Sequence, residues 1–188
     1  RKEFNFSIGK RAGIYAYFFI HGAKFLKTNS RLGFICSNSW LDVDFGKYIQ
    51  EFFLNNFKII AIIGSKVERW FEDADINTCI TVVEKSVDED ERNNNLVKFV
   101  QFKKPLNTLI SSSNADEKRL DDFEKLVNLI SSTKEFTENE NLKILPKKQH
   151  DLFLEGYDDT KNRYIGSRWS KYIRAPKVFF EILEEKKN

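Results

Sequence analysis

The chain has 188 residues, of which 41% are hydrophobic and 31% charged, with a formal net charge of +3. Those proportions describe a folded domain with room for a core, and the charge is too small to argue for nucleic acid on its own. No apolar run approaches the ~18 residues of a membrane helix, no signal-peptide pattern opens the chain, and two cysteines are too few for a disulfide framework.

Residues 1–12 are basic and irregular, with Arg1, Lys2, Lys10 and Arg11 around Gly9. The helical spacing of Tyr15, Phe18, Phe19, Phe25 and Leu26 predicts a helix from Ile14 to Lys27. Arg31 to Cys36 reads as a buried strand, closed by the polar turn Ser37-Asn38-Ser39. Asp42 or Asp44 is placed to cap the next helix, whose Phe45, Tyr48, Ile49, Phe52 and Phe53 form one apolar face. Phe57 to Ile63 is a second buried strand and Thr78 to Val83 a third. With no helix between them, these two are expected as an antiparallel hairpin on the edge of the sheet. Buried strands alternating with amphipathic helices make the expected fold class α/β. Cys36 and Cys79 sit inside apolar strand-like runs as small hydrophobes, which suits a reducing cytoplasm.

After Lys85 the character changes. Ser86 to Asn95 reads as a charged linker, Leu96 to Phe102 as a half-exposed strand, and Ser111 to Asn114 as a loop. Leu120, Phe123, Val127 and Ile130 mark an amphipathic helix. From Lys143 to Lys177 basic and aromatic residues interleave, with nine Lys or Arg against four Asp or Glu. A patch of that kind can hold phosphates through Lys147, Lys148, Arg163, Arg168 and Lys171. It can equally be a solvated surface.

The stretch Trp70-Phe71-Glu72-Asp73-Ala74-Asp75-Ile76-Asn77-Thr78 runs straight into the third strand. An aromatic pair, an acidic turn and a β-branched run place a flat ring at the mouth of a sheet, where proteins grip an unstacked nucleobase. The alternative is that Phe71 is an ordinary core aromatic capping a strand. Other chemistries find less support. Asp73, Asp75, Asn77 and Glu84 match part of a calcium-loop spacing, but Thr78 stands where that loop needs glycine. His21 and His150 have no ligand partners at metal-binding spacing, so no metal site is expected. No nucleophile elbow and no Gly-x-Gly phosphate cradle occur.

Taken in order, these segments resemble the amino-methylating, gamma-ordered adenine-specific DNA methyltransferases of fused and type I-like restriction–modification systems. The likeness is carried by Ala12-Gly13-Ile14-Tyr15 with Tyr17-Phe18-Phe19, by Arg31 to Ile35 followed by Asn38-Ser39-Trp40-Leu41, by Val67 to Thr78, and by Trp169 to Pro176. It is dense over residues 9–85 and departs from the family at Gly13 and Ser37. The resemblance implies the C-terminal portion of an S-adenosylmethionine-dependent, Rossmann-like sheet over residues 1–85. It implies an extension toward a target-recognition domain over residues 86–188. It also implies double-stranded DNA as partner, with a restriction or specificity subunit or domain, and methyl transfer to the adenine amino nitrogen. Phe71 would stack on the flipped base, with Asn38 and Ser39 lining the same crevice. The family's Asn-Pro-Pro-Tyr is absent, since the only prolines are Pro105, Pro146 and Pro176, and so is its Gly-rich cofactor turn. No catalytic residue is therefore expected in this sequence. Starting at Arg1 without any Met, it reads as a piece of a longer protein, inactive by itself. The rival reading is a non-catalytic nucleic-acid-binding module that works through the basic–aromatic segment.

Overall fold

A computed structural model describes residues 12–71, 73, 75–111 and 116–185. Helix α1, Ile14–Ala23, buries Ala16, Phe19 and Ala23 along one stripe. It stops a turn short of the expected Lys27. Asn29 adopts φ 65°, and its N–H donates to Lys85 O at 2.8 Å while Lys85 N–H donates to Ser30 O at 3.0 Å. The chain is thereby turned into its first strand, and Phe25 is left 76% exposed.

That strand, β1 (Arg31–Ser37), is half-exposed where the sequence reads as buried. It is the edge of a six-stranded sheet and pairs only with β3, Thr78–Lys85. Only its Leu32, Phe34 and Cys36 side turns inward, Phe34 meeting Phe19 edge-on at 4.8 Å. A 3-10 turn, Asn38–Leu41, leads to α2, Gly46–Asn56. Neither Asp42 nor Asp44 caps α2: the N-cap is Phe45, with no side-chain bond. Asp42 instead accepts from Ser170 and pairs with Arg174.

Strand β2, Phe57–Ser65, forms the expected antiparallel hairpin with β3, bulged between Ile59 and Ala61. The hairpin lies inside the sheet, because β1 pairs along one side of it and β4, Leu96–Phe102, pairs parallel along the other. The Ile59 N–H freed near the bulge donates to Gln149 Oε1 at 2.9 Å, and Gln149 Nε2 donates to Phe57 O at 2.8 Å. A buried side chain thus completes what the ladder leaves unpaired.

The expected linker holds a short helix, α3 (Glu89–Asn94), because Asp88 Oδ1 accepts the Glu91 N–H at 3.0 Å and the first turn is acidic. Strand β4 is buried on both faces rather than half-exposed. Its second face is covered by α4, Leu106–Leu109, and α5, Asp116–Ser132, around Val100, Phe102 and Ile130. Lys98 is buried with this face, and its ammonium is partnered by Thr133 O. A short β5, Thr137–Glu138, and β6, Leu142–Lys148, finish the sheet in the order β1-β3-β2-β4-β6-β5.

Helix α6, Gln149–Gly156, the two-stranded β7 and β8, Tyr157–Asp158 and Arg163–Tyr164, and helices α7 and α8, Ser170–Arg174 and Lys177–Glu185, close the chain. The main core packs α1, α2, α6 and α7 against one sheet face around Phe19, Trp40, Phe53, Phe57 and Trp169. Residues from both sides of position 85 contribute to it. Tyr164, Trp169 and Tyr172, aromatics of the basic–aromatic segment, are all buried.

Candidate functional site

Strands β1 and β2 are each antiparallel to β3, and β2 is parallel to β4. The carboxyl ends of β1, β2 and β4, at Ser37, Ser65 and Phe102, therefore open on one end of the sheet. That is the end where open α/β sheets bind ligands. Asn38 and Ser39 begin the turn that leaves β1. Ser37 Oγ accepts the Ser39 N–H at 3.3 Å and donates to Ser39 Oγ at 3.0 Å. Tyr15 Oη lies 2.9 Å from Ser39 Oγ, and burial raises the Tyr15 phenol above its usual range. The Ser39 hydroxyl is thus fixed in a chain of three hydroxyls. Asn38 N–H donates to Asn77 O at 3.0 Å, which ties this turn to the end of the loop between β2 and β3.

That loop is anchored from its start. Ser65 Oγ accepts from the N–H groups of Val67 and Glu68 at 3.2 and 3.1 Å. Glu68 Oε1 accepts both the Trp70 indole N–H at 2.9 Å and the Leu106 N–H at 3.0 Å. Trp70 packs on the second core cluster, and Arg69 pairs with Asp75 across the loop. Phe71 is 40% exposed and belongs to neither cluster. Of the two adjacent aromatics, Trp70 holds the loop and Phe71 is presented by it. Glu72 and Ala74 lie outside the described residues.

The five basic positions divide. Lys147 and Lys171 both pair with Glu155, at 3.3 and 2.7 Å, and Lys147 also faces Asp151 at 3.5 Å. Burial pushes the Glu155 carboxyl up, but hydrogen bonds from Lys171 and Tyr172 outweigh it and hold the group below its usual range. Lys148, Arg163 and Arg168 are exposed and form no ion pair with a described residue. Lys147 and Lys148 stand opposite Val97 and Leu96, at the start of β4. They are therefore separated from the Phe71 end of the sheet by the length of that strand, about 20 Å at ~3.3 Å per residue. Arg168 is different. The next residue, Trp169, donates its N–H to Leu41 O at 2.9 Å, and Arg174 Nη1 reaches Asp42 Oδ2 at 3.4 Å. Both arginines lie beside the Asn38–Leu41 turn. Tyr15 and Arg174 were not legible as site residues, because nothing local in the sequence links Tyr15 to Ser39 or Arg174 to Asp42.

Residues 1–71 match the model of the family described as Eco57I restriction-modification methylase. The fold is similar to that of the type IIG restriction endonuclease BpuSI, with a TM-score of 0.60 at 18% identity over 95% of this chain and 18% of that one. It is also similar to a modification subunit of a putative type I restriction enzyme from Vibrio vulnificus YJ016, with a TM-score of 0.58 at 16% identity over 90% of this chain and 33% of that one. The chain thus spans under a fifth of the first protein and a third of the second. The resemblance to restriction–modification methylases holds, and the α/β fold is that of proteins from such systems. No helix among the described residues is long and apolar enough to cross a membrane.

Proposed function

We propose that this chain is part of a site-specific DNA methyltransferase of a restriction–modification system, one that passes a methyl group from S-adenosylmethionine to the exocyclic amino nitrogen of adenine. The observation that carries the reading is Phe71: an exposed ring on an anchored loop, at the same end of the sheet as Asn38 and Ser39. The amine of adenine is a poor nucleophile buried in a stack. An enzyme acting on it must take the base out and hold it against the methyl donor. Phe71 supplies the stacking face, while the Asn38 amide and the fixed Ser39 hydroxyl offer hydrogen bonds to the base edge. The working partner is double-stranded DNA, with a restriction or specificity subunit or domain, in the cytoplasm.

These residues give S-adenosylmethionine no cradle of their own. The turn after β1 is Ser37-Asn38-Ser39, without glycine, and Asn-Pro-Pro-Tyr does not occur. This chain contributes one wall of the pocket. The rival reading, a binding module using the basic–aromatic segment, is weakened, because Tyr164, Trp169 and Tyr172 are core residues and only Phe153 and Tyr157 of that segment's rings are half-buried.

The test is Phe71→Ala in the complete methylase. Stacking is worth ~1–3 kcal/mol per base, whereas truncating a core Phe costs the fold ~3–5 kcal/mol. Methylation should slow on the order of tenfold to a hundredfold at an almost unchanged Tm, and Phe71→Trp should keep most of the rate. A large fall in Tm with full activity in the folded fraction would make Phe71 a packing residue and defeat the assignment.

A further inference from the structure

Cys36 and Cys79 are cross-strand partners in the β1–β3 ladder. Both are free thiols, 7% and 0% exposed, in the main core cluster. The phase of the ladder is fixed at its two ends. Lys85 N–H donates to Ser30 O and Asn38 N–H to Asn77 O, each at 3.0 Å and each between directly opposed residues. Hydrogen-bonded and open rungs alternate in an antiparallel pair, so the Cys36–Cys79 rung is hydrogen-bonded, with Cα atoms about 5.5 Å apart. That spacing lies within the ~4.4–6.8 Å that disulfides span. Opposed residues also project to the same face, so the two sulfurs share one site.

The surroundings make the two thiols unequal. Cys36 Sγ lies 3.4 Å from Ser37 O, and Cys79 Sγ lies 3.9 Å from Thr81 Oγ1. The neighbouring Cys79 sulfur, together with burial, pushes the Cys36 thiol above its usual range. The strand that carries Cys36 is an edge, held by β3 alone, so local opening of one ladder exposes the pair.

We propose that Cys36 and Cys79 form an oxidative modification site, a dithiol that closes to a cross-strand disulfide under hydrogen peroxide. The thiolate of one cysteine attacks hydrogen peroxide, an S–O bond forms as the O–O bond breaks, and water leaves after protonation. The other cysteine's sulfur then attacks the resulting sulfenic acid, the S–S bond forms, the S–O bond breaks, and a second water carries away the thiol proton and the hydroxyl. Two thiols are oxidised and one peroxide is reduced to two waters. The bond would sit two rungs from the Asn38–Asn77 contact that ties the Ser39 turn to the Phe71 loop.

The reaction does not depend on the methyltransferase reading, and its test reads thiols alone. The reduced 188-residue chain is treated with hydrogen peroxide under native conditions, denatured, alkylated and weighed intact. The expected product has lost two hydrogens, takes no alkylating reagent, yields a Cys36–Cys79 linked peptide, and reverts with dithiothreitol. Cys36→Ala and Cys79→Ala should each instead gain oxygen or form linked dimers. In the unsubstituted chain, stepwise oxygen addition with one cysteine still alkylatable, linkage between two molecules, or no reaction before unfolding each overturns the proposal, whether or not the variants fold.

Discussion

Glu84 stands on β3 with its side chain on the sheet face opposite the aromatic core, where Lys58 Nζ and Arg31 Nε approach it at 2.6 and 2.8 Å. The Lys58 hydrogen bond, then that of Arg31, holds its carboxyl below the usual 4.5 against a smaller opposing effect of burial. A carboxyl depressed by folding contributes stability above its unfolded pKa, and that contribution is lost as pH falls through the folded value. Glu84→Gln should therefore cost about 1–3 kcal/mol near neutral pH and flatten the fall of Tm below pH 5. The check is a series of melting curves across acid pH; parallel curves for the two proteins would remove Glu84 from the acid response. Arg31→Gln should cost under about 1 kcal/mol, since its side chain is 66% exposed and its pair is screened by water.

At the scale of elements, the junction between the 3-10 turn and α2 is set by Gly46. A Cβ there would stand 1.8 Å from Trp40 O. Backbone is what it would meet, and Trp40 is fixed in the core at 0% exposure, so neither side can give. Gly46→Ala should destabilise by ~3 kcal/mol or more, read as a lowered denaturation midpoint with unchanged slope. Strand β1 offers the second prediction. It is an unbulged edge carrying neither Pro nor Lys, with Ile35 36% exposed, and such edges invite pairing between molecules. Ile35→Lys should reduce self-association in sedimentation velocity at high protein concentration without lowering Tm. The apolar faces of α2 and the run of β3 were legible because periodicity records which side is buried. Whether a strand sits at the edge or the centre was not, since that depends on partners far along the chain. Thus Arg31 to Cys36 reads as buried and is half-exposed, while Leu96 to Phe102 reads as half-exposed and is covered by a helix from later in the chain. Phe71 was legible as a ring at the sheet mouth, but its separation from Trp70, which anchors the loop through Glu68, required the Leu106 contact to be seen.

For the whole molecule, on the methyltransferase reading proposed above, the two ends of the sheet differ in what they would offer to DNA. Arg168 lies beside the Asn38–Leu41 turn, while Lys147 and Lys148 lie a strand's length away and Lys147 is already neutralised by Glu155 and Asp151. A phosphate contact releases counterions, so removing one flattens the slope of log K against log salt by roughly one unit. In the complete methylase, Arg168→Gln should flatten that slope and weaken binding to all sequences alike. Lys147→Gln should leave the slope unchanged and lower Tm instead, because it removes an ion pair that joins β6 to α6 and sits over the Tyr172 ring at 5.9 Å. The 188-residue chain alone should give no calorimetric heat with S-adenosylmethionine at micromolar concentration, since it has no glycine turn to receive the cofactor. These outcomes separate cleanly. Cofactor binding by the isolated chain would overturn the assignment of a single pocket wall. A flattened slope for Lys147→Gln would instead move the DNA path to the far end of the sheet, away from Phe71, and with it the place where a flipped base could meet a ring.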